Sequence, residues 1–124
     1  MAAAGRNRLY LAVALMIGVV AGAAAQKTAD KKAAEEKKRI LMENPRVRVR
    51  EVLIEPGVTY PAHTHQYPHV GVIVKGGRLE FTEKGKADAV DFKDGDAGWR
   101  EAGVTHSVRN LGKATVHVVE VELK

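Results

Sequence analysis

The texture of the chain changes at Pro45, and the segment beyond it constrains the fold more than any other feature. From there to the end, short runs alternate in character and stop at glycine-rich turns. RVRVREVLIE (46–55) alternates charged and apolar residues, which is the period of a strand with one buried face. Pro56-Gly57 ends it as a turn. Val70 to Lys75 is a β-branched run closed by Gly76-Gly77, Arg78 to Thr82 alternates again, and EKGK (83–86) turns the chain. Ala89 to Phe92 is a short strand before the turn KDGD. Residues 104–109 and TVHVVEVEL (115–123) are two further strands, separated by Asn110-Leu111-Gly112. Several short strands with turns at regular spacing predict an all-β barrel or sandwich.

Ahead of Pro45 the chain reads differently. Arg6 and Arg8, an apolar run from Leu9 to Gly22 and then Ala23-Ala24-Ala25 have the order of a secretory signal peptide, with cleavage expected before Gln26. A retained N-terminal anchor is the alternative, although the apolar run is shorter than the ~20 residues that comfortably span a bilayer. Residues 26–45 are rich in Ala, Glu and Lys, which favours a short charged helix or a flexible linker ended by Pro45. The expected organisation is therefore a signal peptide over 1–25, the charged segment over 26–45 and one β domain over 46–124. Export makes the protein periplasmic or secreted, with membrane contact only through the signal segment.

Charge and cysteine content exclude several functions. The formal net charge is +5, but it lies outside the β region: residues 40–124 hold 12 basic and 12 acidic residues. A nucleic-acid binder concentrates positive charge on its folded domain, so no nucleic-acid partner is expected. There is no cysteine, hence no disulfide and no thiolate site, and any metal must take nitrogen and oxygen ligands. Motifs of phosphate-binding loops, H-E-x-x-H proteases and G-x-S-x-G hydrolases are absent from the sequence.

Three of the five histidines fall within HTHQYPH (63–69). His63 and His65, at i and i+2, point to one face of a strand. His69 comes after a bend and can return to that face. Neutral imidazoles suit zinc, copper, iron and nickel. Of the remaining two, His106 opens a strand and His117 lies among valines, where packing within the sheet is the expected role.

The spacing around these histidines resembles the two motifs of the cupin superfamily. Gly57, five residues, His63-Thr64-His65, three residues, His69, six residues and Gly76 match the first motif, with histidine where the family usually has glutamate. Gly95, five residues, Glu101-Ala102-Gly103, two residues, His106, three residues and Asn110 match the second, with Glu101 in place of proline. The resemblance implies a double-stranded β-helix, the jelly-roll barrel of cupins, over residues 46–123. It also implies that His63, His65, His69 and His106 are the ligands of a divalent transition metal: iron, manganese, nickel, copper or zinc. Four neutral histidines would leave such a site at +2, so it should favour an anionic or enolate-like ligand and bind metal poorly in acid. Glu101 is the candidate acid–base residue, with an exposed loop glutamate as the plainer reading. Tyr60, Tyr67, Phe81 and Trp99 are candidates for lining a substrate pocket, or for core and rim packing.

The expected function is that of an exported small cupin, an enzyme on a small organic substrate with dioxygenase-like or Lewis-acid isomerase or cyclase chemistry. A non-catalytic metal- or small-ligand-binding protein is the alternative, and a structural or absent metal is the third reading. Small cupins often pair through a barrel edge, so a homodimer is the expected assembly.

Overall fold

The computed structural model describes residues 23–30 and 38–124. Most of the expected signal segment therefore lies outside the described residues, as do residues 31–37 of the charged stretch. Residues 23–30 form a short, largely exposed helix with an i,i+4 bond from Gln26 Nε2 to Asp30 Oδ1 of 2.9 Å. Among the described residues, no helix is long and apolar enough to cross a membrane.

The rest of the described chain is built from nine strands: β1 (Lys38–Glu43), β2 (Val47–Ile54), β3 (Thr59–Thr64), β4 (His69–Lys75), β5 (Gly77–Glu83), β6 (Lys86–Phe92), β7 (Ala97–Arg100), β8 (Thr105–Asn110) and β9 (Val116–Leu123). They form a five-stranded sheet in the order β1-β2-β9-β4-β7 and a four-stranded sheet in the order β3-β8-β5-β6. The ladders are all antiparallel. Apart from the hairpins β1–β2 and β5–β6, each connection passes from one sheet to the other. The two sheets are thereby wrapped around a single core.

β1 departs from the sequence reading. Its helix-favouring residues, KRILME, are a strand instead of the end of a charged helix. Helix propensities differ by only about 0.7 kcal/mol per residue among ordinary residues, and tertiary pairing outweighs them. β1 completes the exposed edge of β2, and Arg39 reaches Glu51 at 3.0 Å. Asn44 then makes the turn, accepting bonds from the N–H groups of Arg46 and Val47 at 2.8 and 2.9 Å. β7 was also not legible as a strand. It is four residues long, AGWR, too short for a periodic signal.

Alternation along β2 and β9 puts Arg48, Arg50, Val52 and Ile54 on one face, opposite Glu122, Glu120, Val118 and Val116. In β4, His69 stands against Glu122, Gly71 against Glu120 and Ile73 against Val118. The inward face of this sheet thus grades from charged ranks at one end to apolar ranks at the other. The apolar end closes on Tyr60, Leu79 and Val108 of the second sheet. Asn110, 2% exposed, ties this end together. Its Nδ2 donates to the carbonyls of Ile54 and Ala114, both at 2.8 Å, and its Oδ1 accepts from Gly112 N at 2.8 Å.

Asn110→Asp keeps the shape but removes both donors and buries a charge beside two carbonyls. Urea unfolding at pH 7 should show a loss of at least about 2 kcal/mol. Gly76→Ala should cost about 1–3 kcal/mol, because the new Cβ would overlap the backbone carbonyl of Phe92. Gly98→Ala, where the added Cβ meets nothing within 4 Å, is the matched control.

Candidate metal centre

His63 and His106 are direct cross-strand partners, although simple alternation would not orient His63 this way. Tyr60 pairs with Val108 and His63 with His106, so β3 carries one residue more than β8 between these pairs. A bulge of this kind turns the residues beyond it to the opposite face. Pro61, which has no N–H for the ladder, lies within it. His63 consequently shares the inward face with Tyr60 instead of pointing away from it.

His65 comes directly after β3. Its N–H donates to Val104 O at 3.1 Å and its carbonyl accepts from Gly103 N at 2.8 Å. Gly103 has a φ of 83°, a backbone conformation costly for a side-chain-bearing residue. The second motif's glycine therefore anchors the first motif's histidine. His69 opens β4 beside Glu122 of β9 and Arg100 of β7.

The four histidines converge. Ring centroids are 4.7 Å apart for His63 and His106, 4.9 Å for His63 and His65, 4.9 Å for His65 and His106, and 4.3 Å for His65 and His69. Two overlapping sets have ligand atoms mutually within 4.8 Å: His63, His65 and His106, and His65, His69 and Glu120. Nε2 of His65 and Nε2 of His106 are 3.0 Å apart. Two nitrogens held about 2.1 Å from one metal, at right angles, stand about 3.0 Å apart. His63 Nδ1 lies 2.9 Å from Pro61 O, and donating to that carbonyl leaves Nε2 as a lone pair. The buried Nδ1 atoms of His65, His69 and His106 have no hydrogen-bond partner. A metal held on Nε2 of His65 and His106 would not meet these Nδ1 atoms, so it is the Nε2 spacing that fits a metal. The donor set is therefore compatible with a divalent transition metal.

A cavity of about 280 Å³ adjoins the cluster, with His63, His69 and His106 in its wall. Tyr60, Phe81 and Trp99 line it. Phe81 stacks on His106 at 5.7 Å. Tyr60 is buried, its hydroxyl donates to Leu53 O, and burial pushes its pKa up to about 12. Tyr67 does not line the cavity; Arg48 covers its ring at 5.6 Å. Glu101 is not brought to the histidines either. It is exposed, and it accepts a bond from Trp99 Nε1 at 2.7 Å. Its short reach from an exposed turn is taken up by the neighbouring indole. His117 lies in the sheet, 2.8 Å from Glu51.

The charged residues of the cavity, Lys38, Arg50, Arg100 and Glu120, escaped the sequence reading. Glu120 is bonded by Arg50 Nε at 2.9 Å and lies 2.7 Å from a terminal nitrogen of the same guanidinium. Glu122, 1% exposed, pairs with Arg48. Burial would raise the Glu122 pKa, but the bond from Arg48 and the charge of Arg50 hold it below the usual carboxylate value. For Glu120 and Glu122, and through the ladder for Arg50 and Arg48, the signal was the phase of β9. In TVHVVEVEL the natural reading turns Val119 and Val121 inward and the glutamates outward; the ladder with β2 selects the opposite phase.

Burial lowers the histidine pKa values, to about 4 for His65 and about 3 for His106, and below the ordinary value for His63. The nearby Arg100 charge adds to the effect at His106. An unfolded chain protonates its histidines near pH 6.5, whereas the native metal-free site resists. Stability from this source is complete above about pH 6.5 and is lost as the pH falls toward the folded values. The melting temperature of EDTA-treated protein should therefore drop from pH 7 to pH 5, and His106→Gln should flatten that dependence in calorimetry.

Comparisons with known proteins agree with this architecture. A family model described as a cupin domain matches residues 50–122. A cupin domain from Bordetella pertussis is 28% identical, with a TM-score of 0.67 over 70% of this chain and 91% of that one. An RmlC-like cupin family protein with a double-stranded β-helix fold, from Methanocaldococcus jannaschii, is 16% identical, with a TM-score of 0.60 over 69% of this chain and 77% of that one. A cupin-2 domain-containing protein from Shewanella frigidimarina is 17% identical, with a TM-score of 0.53 over 70% and 79%. No curated protein sequence matches the chain. The two wrapped sheets and the matched motifs have one explanation: this chain belongs to the cupin domain family.

Proposed function

We propose that this protein is an exported, metal-dependent enzyme, in which His63, His65, His69 and His106 hold one divalent transition metal beside a pocket for a small organic substrate. The observation that carries this reading is that His63, His69 and His106 belong both to the nitrogen cluster and to the cavity wall. Iron, manganese, nickel, copper and zinc all suit an imidazole site. A metal there supplies Lewis acidity toward a carbonyl or enolate, or a meeting point for substrate and dioxygen.

The chain's own residues do the rest. The Pro61 carbonyl orients the His63 ring, Phe81 packs against His106, and apolar walls exclude water from the substrate's body. Export rests on the order of Arg6, Arg8, the apolar run and Ala23 to Ala25. A homodimer would pair through the open edge of β1, where Ile40, Leu41 and Met42 are exposed.

One observation favours a second reading, a binding protein without turnover. Among the described residues of the cavity, Glu120 is the carboxylate, and it is committed to Arg50, while Glu101 is bonded to Trp99.

Elemental analysis of protein purified without added metal or a histidine tag should find about one transition metal per chain. His65→Ala should lose that metal together with any turnover on a panel of diketones, phenols and sugars, including oxygen uptake. Turnover by a metal-free variant would overturn the enzyme proposal. Tight metal or ligand binding with no product across the panel would establish the second reading.

A further inference from the structure

Arg100 stands apart from the other cavity charges. It closes β7 in register with His69, and its guanidinium lies 4.6 Å over the ring of Phe81, which stacks on His106. Arg100 lines the same cavity as His63, His69 and His106. Arg50, the other guanidinium on that wall, is already neutralised by Glu120, and Lys38, the remaining cation of the wall, lies over the Tyr60 ring at 5.9 Å. Among the described residues, Arg100 has the ring contact with Phe81 and no carboxylate partner.

We propose that Arg100 is the anion-binding residue of this cavity, and that the ligand is a small monocarboxylate with an apolar, ring-sized body. The proposal shares the cavity of the function proposed above and deepens it, but it stands on Arg100 and not on the metal.

The chemistry comes from how the guanidinium is held. A guanidinium held over an aromatic ring interacts with it through its charge, which leaves most of its five N–H donors available. Those donors form a fork that matches the two oxygens of a carboxylate. The ring contact also restrains the long side chain, so less rotamer freedom remains to be lost on binding. The rest of the cavity selects the body of the ligand. Val52, Ile73, Leu79 and Phe92 make its walls apolar, and a ring or short aliphatic chain leaves water favourably there. Between such walls an ion pair is stronger than in bulk water. Arg50 and Glu120 on the same wall cancel each other's charge, so the Arg100 fork offers one positive charge, which matches a monocarboxylate better than a phosphate or a dicarboxylate.

The test uses Trp99, the chain's one tryptophan, which lines the cavity next to Arg100 in β7. Its emission is followed while benzoate, and separately benzamide, is titrated into metal-loaded and EDTA-treated protein. Benzoate should bind saturably in both states, and benzamide at least about tenfold more weakly. Arg100→Gln should weaken benzoate by at least about tenfold in both states and leave benzamide unchanged. Thermal melts establish that the variant is folded. If it is not, Arg100→Lys decides, since it keeps the charge but loses the fork and should bind benzoate several-fold more weakly than the native protein.

Benzoate bound as tightly by Arg100→Gln as by the native protein would overturn the proposal. If that binding also disappears with EDTA, the carboxylate sits on the metal, and the metal reading survives without this one. Absence of any metal, with Arg100-dependent benzoate binding intact, would do the reverse. No saturable binding of benzoate, phenylacetate or hexanoate would overturn the proposal outright.

Discussion

Two glutamates facing the inside of a barrel require cations, and the arrangement of this protein depends on that requirement. β9 is the central strand of the larger sheet, and its inward side reads Val116, Val118, Glu120, Glu122. Removing a carboxylate from water costs several kcal/mol unless it is paired and bonded. Arg48 and Arg50 stand directly across on β2, in register with Glu122 and Glu120. This ladder allows one end of the interior to be charged while the other is packed hydrocarbon. Such pairs add little net stability compared with apolar residues. Their consequence here is spatial: the polar end remains open enough to hold a cavity, and the histidines line its wall.

A second device assembles the site. The irregularity between Tyr60 and His63 brings an outward strand position inward. The two backbone bonds between His65 and the Val104 and Gly103 backbone then bring the two motifs together. Both act on the backbone, so the rings are positioned before any ligand arrives. The result is a buried imidazole cluster in which Nε2 of His65 and Nε2 of His106 face each other at 3.0 Å, the spacing of two ligands on one metal.

Most of the β architecture was legible, because the strands β2, β4, β5, β6, β8 and β9 carry period-2 or β-branched runs between turn residues. The unread elements have specific causes. β1 is written in helix-forming residues and is a strand only because β2 offers it an edge. β7 is too short to show a period. The histidine cluster could be read from motif spacing, yet its shape could not. A bulge adds one residue to a ladder, and no single-strand pattern records which partner it faces.

By itself the sequence determined the class of fold, the turn positions and the identity of four imidazoles able to meet. Turn chemistry is a property of one to four neighbouring residues, and strand period a property of the run itself. Tertiary structure alone decided which phase of β9 faces inward, and with it the roles of Glu120 and Arg50. It also decided that Arg100 lies over Phe81 while Glu101, one residue on, is exposed and bonded to Trp99. The physical reason is the same throughout. A strand offers two faces that differ by one residue, and only pairing with its neighbours determines which of them meets the interior.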